Sequence, residues 1–404
     1  MNQNIKKMLY TLIILAGFIV SVSANAETEN IEKTFSVSKG GTLILESDMG
    51  SIEVGTWDKS EVFVSVKKRA SSKERLDSFK LLIEQRGNNI YIEGDREWNS
   101  RLQIEFHINV PKEYNVDLKT GGGSIGVADI KGNVKLTTSG GSISIGNVDL
   151  GDVNAHTSGG SIKVGDVNGN LKVNTSGGSI HLGKVNGTSS IDTSGGSISL
   201  TQGGSDVKAH TSGGSISIGP SKGKVKANTS GGSINIGMAD GNVYADTSGG
   251  SVRVKGSKGK VVIKSSGGSL FVDSSGGPVK ADTSGGSIKI MQAKGAIDAE
   301  TSGGSIEAEM IETNNSKDTH VKLHSSGGRL TVYLPETIEA TVLANLKISW
   351  HAIRDYQIYS DFPLTIKGEE SSRITAKGDI NGGGDKILLS TTNGDIYIKK
   401  LEKQ

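Results

Sequence analysis

No cysteine occurs anywhere in the chain, and only 5 of its 404 residues are proline. The first absence excludes disulfides, thiol catalysis and a lipidated cysteine, and the second excludes proline-rich disorder. Aromatic residues are scarce at 4%, so a core must be built from smaller aliphatic side chains. An excess of one charge is lacking too, because 45 basic residues face 43 acidic ones. Without it there is no footprint for nucleic acid and no polybasic membrane patch. Long apolar runs are absent except for Met8 to Val22, which follows Lys6 and Lys7 and precedes Ala24-Asn25-Ala26. A basic start, a short apolar stretch and a small-x-small site mark a secretory signal. The run is short for a membrane span. Export with cleavage before Glu27 is therefore expected, giving a mature chain of 43 basic and 43 acidic residues with no transmembrane segment. Export without disulfides fits a bacterial envelope or secreted protein.

Glycine is what the chain has in plenty: 57 residues, about twice the ordinary ~7% share. It does not fall at every third position, so collagen is excluded. The word Thr-Ser-Gly-Gly-Ser-Ile, first met whole at Thr138, returns from Thr157 to Thr301. From Ser124 to Ser305 the serine of each Gly-Gly-Ser recurs every 18 residues, with one extra residue between Gly141 and Gly151. Beneath this lies a nine-residue frame, seen in Gly160-Ser161-Ile162, Gly169-Asn170-Leu171 and Gly178-Ser179-Ile180. Ser205 and Gly187-Thr188-Ser189 depart from it. Within each half, apolar and polar residues alternate, as in Leu171 and Val173 against Asn170, Lys172 and Asn174. That is the period of a half-buried strand.

One nine-residue half cannot bury its apolar face alone, but two facing halves can if further coils stack on both sides. The expected fold is all-β: an elongated parallel β-solenoid of 18-residue coils, each of two nine-residue halves, with β-rich capping regions at both ends. The turns between strands are assigned to the pairs Gly140-Gly141, Gly159-Gly160, Gly177-Gly178, Gly195-Gly196, Gly213-Gly214, Gly231-Gly232, Gly249-Gly250, Gly285-Gly286 and Gly303-Gly304. Glycine there is expected to supply a positive φ. Only Tyr244 and Phe271 among the aromatics lie between 121 and 310, which predicts a thin rod with bulkier ends. The division read from the sequence is a signal at 1–26, an N-terminal cap at 27–118, coils at 119–308 and a C-terminal cap at 309–404. The N-terminal cap is expected to hold strands near Thr34, Thr42, Ser51, Glu61, Asn89 and Gln103, with a short helix at Lys73 to Phe79. An insertion is expected around Asn314 to Lys317, and both caps should cover open sheet edges.

The TSGGSI coils, the stretch GSIEVGTWDKSEVFV from Gly50 and the closing KILLSTTNGDIYIKK from Lys386 resemble the bacterial adhesin family of the DUF4097 type. The resemblance spans about 31 to 400. It implies an envelope-associated β-solenoid and brings no catalytic motif; "adhesin" is a provisional family label.

Chemical motifs are weak. Gly256-Ser257-Lys258-Gly259-Lys260 lacks the spacing and the helix of a phosphate loop. Asp192, Asp246 and Asp282 precede turn threonines, yet Asn174, His210, Asn228 and Glu300 take that place in other coils, so a repeated calcium site is not supported. His156 and His210 share a column three coils apart and His181 lies on the other half, too far for one metal. Asp361 and Glu369-Glu370 read as loop charges rather than a glycosidase pair. Leu334-Pro335-Glu336-Thr337 is followed by Ile338, not glycine, and reads as a turn. Thr157, Thr175, Thr193, Thr211, Thr229 and Thr247 form a column on the inward phase, where hydroxyls are expected to satisfy turn backbone groups and one another, coil to coil, rather than a ligand. No catalytic residue, cofactor or metal is assigned.

The reading is a non-enzymatic exported repeat protein at the periplasm, cell surface or medium, binding an envelope, glycan or protein ligand. The alternatives are a periplasmic part of envelope-stress signalling and a polysaccharide-active β-helix enzyme. The latter is disfavoured by short coils without long insertions.

Overall fold

The computed structural model describes residues 27–96, 102–311, 318–349, 352, 355–368 and 371–402. The expected signal at 1–26, the insertion expected around Asn314 to Lys317, and Glu369-Glu370 lie outside these.

The coil Leu171 to Thr188 shows how the repeat folds. The strand Leu171–Thr175 points Leu171, Val173 and Thr175 inward. Ser176 to Ser179 then turn the chain, and the strand Ile180–Val185 buries Ile180, Leu182 and Val185. A corner at Asn186 to Thr188 returns it to Ser189–Thr193. Each half thus supplies one sheet, because a two-residue period makes one side of every strand apolar. Leu171–Thr175 pairs in parallel with Val153–Thr157 below and Ser189–Thr193 above. This threonine sheet runs the length of the rod. Facing it is an isoleucine sheet, in which Ile162, Ile180, Ile198 and Ile216 stand in register. The fold is an all-β solenoid of two long, mostly parallel sheets that do not close into a barrel. A third, narrower line of bridges joins Val148, Val167 and Val185, and later Gly203, Ser221 and Ala239.

The extra residue of the repeat is Leu150. Spacing is still 18 from Ile130 to Val148 and has become 19 from Val134 to Val153. Leu150 is looped out with φ 57° and is 79% exposed.

The paired glycines correct one expectation. None of those in the central coils takes a φ in the left-handed region, which appears instead at Gly40, Gly50, Gly87, Gly123 and Gly132 and, near the C-terminus, at Gly368, Gly382 and Gly383. The pairs sit in bends, and the need for glycine comes from the neighbouring coil. A Cβ on Gly178 would lie 2.2 Å from the carbonyl oxygen of Gly160. Gly160, Gly196, Gly214 and Gly250 show the same contact with the glycine one coil earlier. The first glycine of each pair is less confined, since a Cβ on Gly177 would stand 3.0 Å from the oxygen of Gly159.

Both sheets continue into the flanking regions, and there sequence order and spatial order part. Near the N-terminus, Thr42–Ser47 lies between Asn89–Arg96 and Asn115–Thr120. Ser51–Trp57 lies between Leu102–Pro111 and Ile125–Val127. The chain therefore lays down one coil, builds the end beyond it and returns on its other side. Outermost are antiparallel strands: Glu27–Ser36 on Glu61–Ala70, and Phe79–Arg86 on Asn89–Arg96. Of these, Phe79–Arg86 carries no clean alternation and is not legible in the sequence. The short helix is Lys73–Asp77. Tyr114 is fully buried within this end; its hydroxyl donates to the Asn88 carbonyl, and burial pushes its pKa up to about 12. The C-terminal end repeats the device. Asp385–Thr392 lies between Val321–Ser325 and Ala340–Lys347, and Ile396–Lys400 lies between Leu330–Leu334 and Ile358–Ser360.

Candidate interaction surface

Inward and outward groups have separate tasks. The Thr175 hydroxyl donates to the Gly160 carbonyl at 2.7 Å and accepts the Gly178 N–H at 3.4 Å. Thr157, Thr193, Thr211, Thr229 and Thr247 do the same in their coils, all buried. The column ties each turn to the coil below it; the hydroxyls meet backbone and not one another. Ser257, in the phosphate-loop-like cluster, is buried, donating to Gly241 at 2.8 Å and accepting from Gly259. Lys258 beside it pairs with Asp240. The segment at Leu334 is the end of a strand followed by a turn in which the Ile338 N–H bonds the Pro335 carbonyl.

Outward groups form rows. The serine after each glycine pair accepts the N–H of the serine one coil above, as Ser161 does from Ser179 and Ser179 from Ser197, at 3.2 Å. The row runs from Ser124 to Ser305, where Arg329 supplies the last N–H. Each oxygen is engaged, and among the described residues none of these O–H groups has an acceptor within hydrogen-bond distance. On the isoleucine sheet the outward row reads Lys163, His181, Ser199, Ser217, Asn235, Arg253, Phe271 and Lys289. On the threonine sheet one row holds His156, Asn174, Asp192, His210, Asn228 and Asp246. His156 and His210 are thus three strands apart in one row, while His181 stands on the opposite sheet. Further along, Asp282 and Glu300 share a depression with Lys264 and Lys280. Burial raises the Asp282 carboxyl above its usual range, against the pull of Lys280 and Lys264. Among the described residues no three His, Asp or Glu side chains gather to hold a metal. Asp361 accepts the Lys400 N–H at 3.0 Å.

One grouping was not visible in the sequence. Tyr359 and Tyr397 stack with ring centroids 4.9 Å apart and 13° between planes. The Arg329 guanidinium lies 5.5 Å from the Tyr397 ring. Lys399 lies 5.6 Å from that ring and 5.8 Å from Tyr333. These residues come from three separate strands and a turn, brought together only because Ile396–Lys400 inserts between Leu330–Leu334 and Ile358–Ser360.

No helix of the described residues is long and apolar enough to cross a membrane. The family model described as Toastrack DUF4097 matches residues 42–239. No curated protein matches the chain. Among solved structures, a protein of Clostridium sporogenes provisionally called a cell adhesion protein is similar at 10% identity, covering 93% of this chain and 100% of its own, with a TM-score of 0.18. A protein of Bacteroides fragilis provisionally called an adhesin gives 13% identity, coverages of 64% and 96%, and a TM-score of 0.22. One of Parabacteroides distasonis, provisionally called lipid binding, gives 16%, coverages of 77% and 97%, and 0.22. At such scores these likenesses carry no functional weight.

Proposed function

Taking as premise that residues 42–239 place the chain in the Toastrack DUF4097 family, we propose that it is a non-enzymatic, exported rod whose outward rows bind an extended polymer of the bacterial envelope or its surroundings, in the manner of an adhesin or scaffold. The regions 27–118 and 309–404 serve as caps on the coils in this reading. The observation that supports it most is the serine row. Stacked coils place one donor-bearing hydroxyl every ~4.8 Å along the rod, each held by a backbone N–H. Weak contacts repeated at a fixed spacing add up through effective concentration, provided the partner is itself extended. A small ligand would gain nothing from such a row.

The test uses the mature chain, 27–404, in pull-downs from envelope extracts and extracellular glycans, together with protease treatment of intact cells. Retention of a polymer by the rod, and cleavage of the rod on intact cells, are the expected results. A rod that retains no polymer and is shielded from added protease rules this function out.

A further inference from the structure

The tyrosine cluster at the C-terminal end of the isoleucine sheet has features that packing does not require. Outward positions of the coils are mostly small or charged, and between 121 and 310 the chain uses only two aromatic residues. Here three tyrosines face outward on adjacent strands, Tyr333 beside Lys399 and Tyr397 beside Tyr359. Tyr397 has neighbours on two sides: Tyr359 stacked at 4.9 Å, and Arg329, which precedes the strand on the far side, at 5.5 Å. Tyr359 sits on Ile358–Ser360, and among the described residues no strand pairs with the outer edge of that segment. The ring is 49% exposed, and its outer side is not continued by the ladder.

Two cations, Arg329 and Lys399, lie against the rings, while the Asp361 and Asp395 carboxylates beside the same strands accept the Lys400 and Gln357 N–H groups. Some cations elsewhere on this sheet are paired: Lys289 with Glu307, Arg253 with Asp273 and Lys400 with Glu336. Among the described residues neither Arg329 nor Lys399 has a carboxylate within 4.0 Å. Both are held against aromatic faces, which fixes their position without neutralising them.

We infer that Tyr359, Tyr397, Arg329 and Lys399 form a platform that takes a sugar ring of an anionic polysaccharide. The ring's apolar face lies on Tyr359, and its carboxylate, sulfate or phosphate meets the guanidinium and ammonium groups. This deepens the proposed polymer-binding function and rests on it. An open aromatic face offers area and polarisability to the C–H side of a pyranose, and an arginine fork beside it suits a planar or tetrahedral oxyanion. A nucleic acid base also stacks on tyrosine, but strand binding draws on a continuous basic track, and the mature chain balances 43 acidic residues with 43 basic ones.

The experiment titrates the mature chain with polygalacturonate, heparin and poly(glycerol phosphate), with dextran and oligo(dT) as comparisons, by affinity electrophoresis and calorimetry at two salt concentrations. At least one anionic polymer should bind more tightly than dextran and oligo(dT). Tyr359→Ala should weaken it by about tenfold or more, on the scale of a lost stacking contact, and Tyr359→Phe should retain it. Lys399→Gln should weaken it, more so at low salt. Leu150→Ala, an exposed apolar residue looped out of the coils and outside the rows, should leave it unchanged, and all variants should keep the wild-type unfolding midpoint. Equal binding by wild type and Tyr359→Ala overturns the platform while leaving the polymer-binding rod intact. Absence of binding to all three anionic polymers, or tighter binding to oligo(dT), overturns the ligand class, even where the pull-down from envelope extracts succeeds.

Discussion

Gly177 and Gly178 look alike in the sequence, yet only one is confined by its neighbour coil. A Cβ on Gly178 meets backbone of Gly160 at 2.2 Å, and backbone in a stacked ladder cannot give way as a side chain can. Gly178→Ala should therefore cost about 2–3 kcal/mol as an overpacked site, and Gly177→Ala under about 1 kcal/mol, in urea unfolding of residues 27–404. Equal effects would mean that turn conformation, not coil contact, selects the glycine. Ser189 is the second residue whose environment is informative. It occupies a strand position taken by Leu171 below and Val207 above, and its buried hydroxyl has no partner among the described residues. Leaving such a group unsatisfied costs about 1–3 kcal/mol. Ser189→Val should raise stability by about 1 kcal/mol or more, and a loss of stability in both Ser189→Val and Ser189→Ala would show that the hydroxyl has a partner after all.

At the scale of strands, both ends are closed by the same device. A coil from one chain terminus is inserted between two coils that are continuous in sequence with the rest. The outermost strands are antiparallel on both sheets at the N-terminal end and on the threonine sheet at the C-terminal end. Those edges end in hairpins and not in a parallel ladder waiting for another chain, whereas Ile358–Ser360 ends the isoleucine sheet in parallel pairing. The inserted pair, Asp385–Thr392 and Ile396–Lys400, has a partner on each side. Removing 385–404 takes the middle from both sheets and strands Ala340–Lys347 away from the rod. The truncated chain should aggregate or lose cooperative unfolding, as judged by light scattering and circular dichroism, whereas removal of 401–404 should change neither. Soluble, cooperative unfolding of the long truncation would refute this account of the C-terminal cap.

For the molecule as a whole, stability comes from nearest-neighbour stacking, so length is a free variable and phase is not. Residues 207–224 make one full coil, and Val225 stands in register on Val207. Their excision brings Val225–Thr229 onto Ser189–Thr193 with every inward residue still inward. The product should be a folded rod shorter by ~5 Å, measured by small-angle scattering. Excision of only nine residues, 216–224, places a threonine-sheet strand where an isoleucine-sheet strand belongs, and this variant should not fold. If both deletions fold equally well, the two halves are interchangeable and the distinction between the sheets has no energetic content.

The sequence alone determined the coil. Its 18-residue period, the nine-residue halves and the alternation of Leu171, Val173 and Thr175 are local signals, because a strand reads its own side-chain pattern every two residues. The inward place of the threonines followed from the same alternation. Three things were decided only by tertiary structure. The reason for the second glycine lies in a carbonyl one coil away, at no fixed cue within its own turn. The strand Phe79–Arg86 and the insertion of terminal coils at both ends depend on pairings between segments tens of residues apart. The Tyr359–Tyr397 stack exists because one of those insertions places Ile396–Lys400 beside Ile358–Ser360. Periodicity is written along the chain, whereas juxtaposition across non-consecutive strands is set by which edges remain open when the chain comes back.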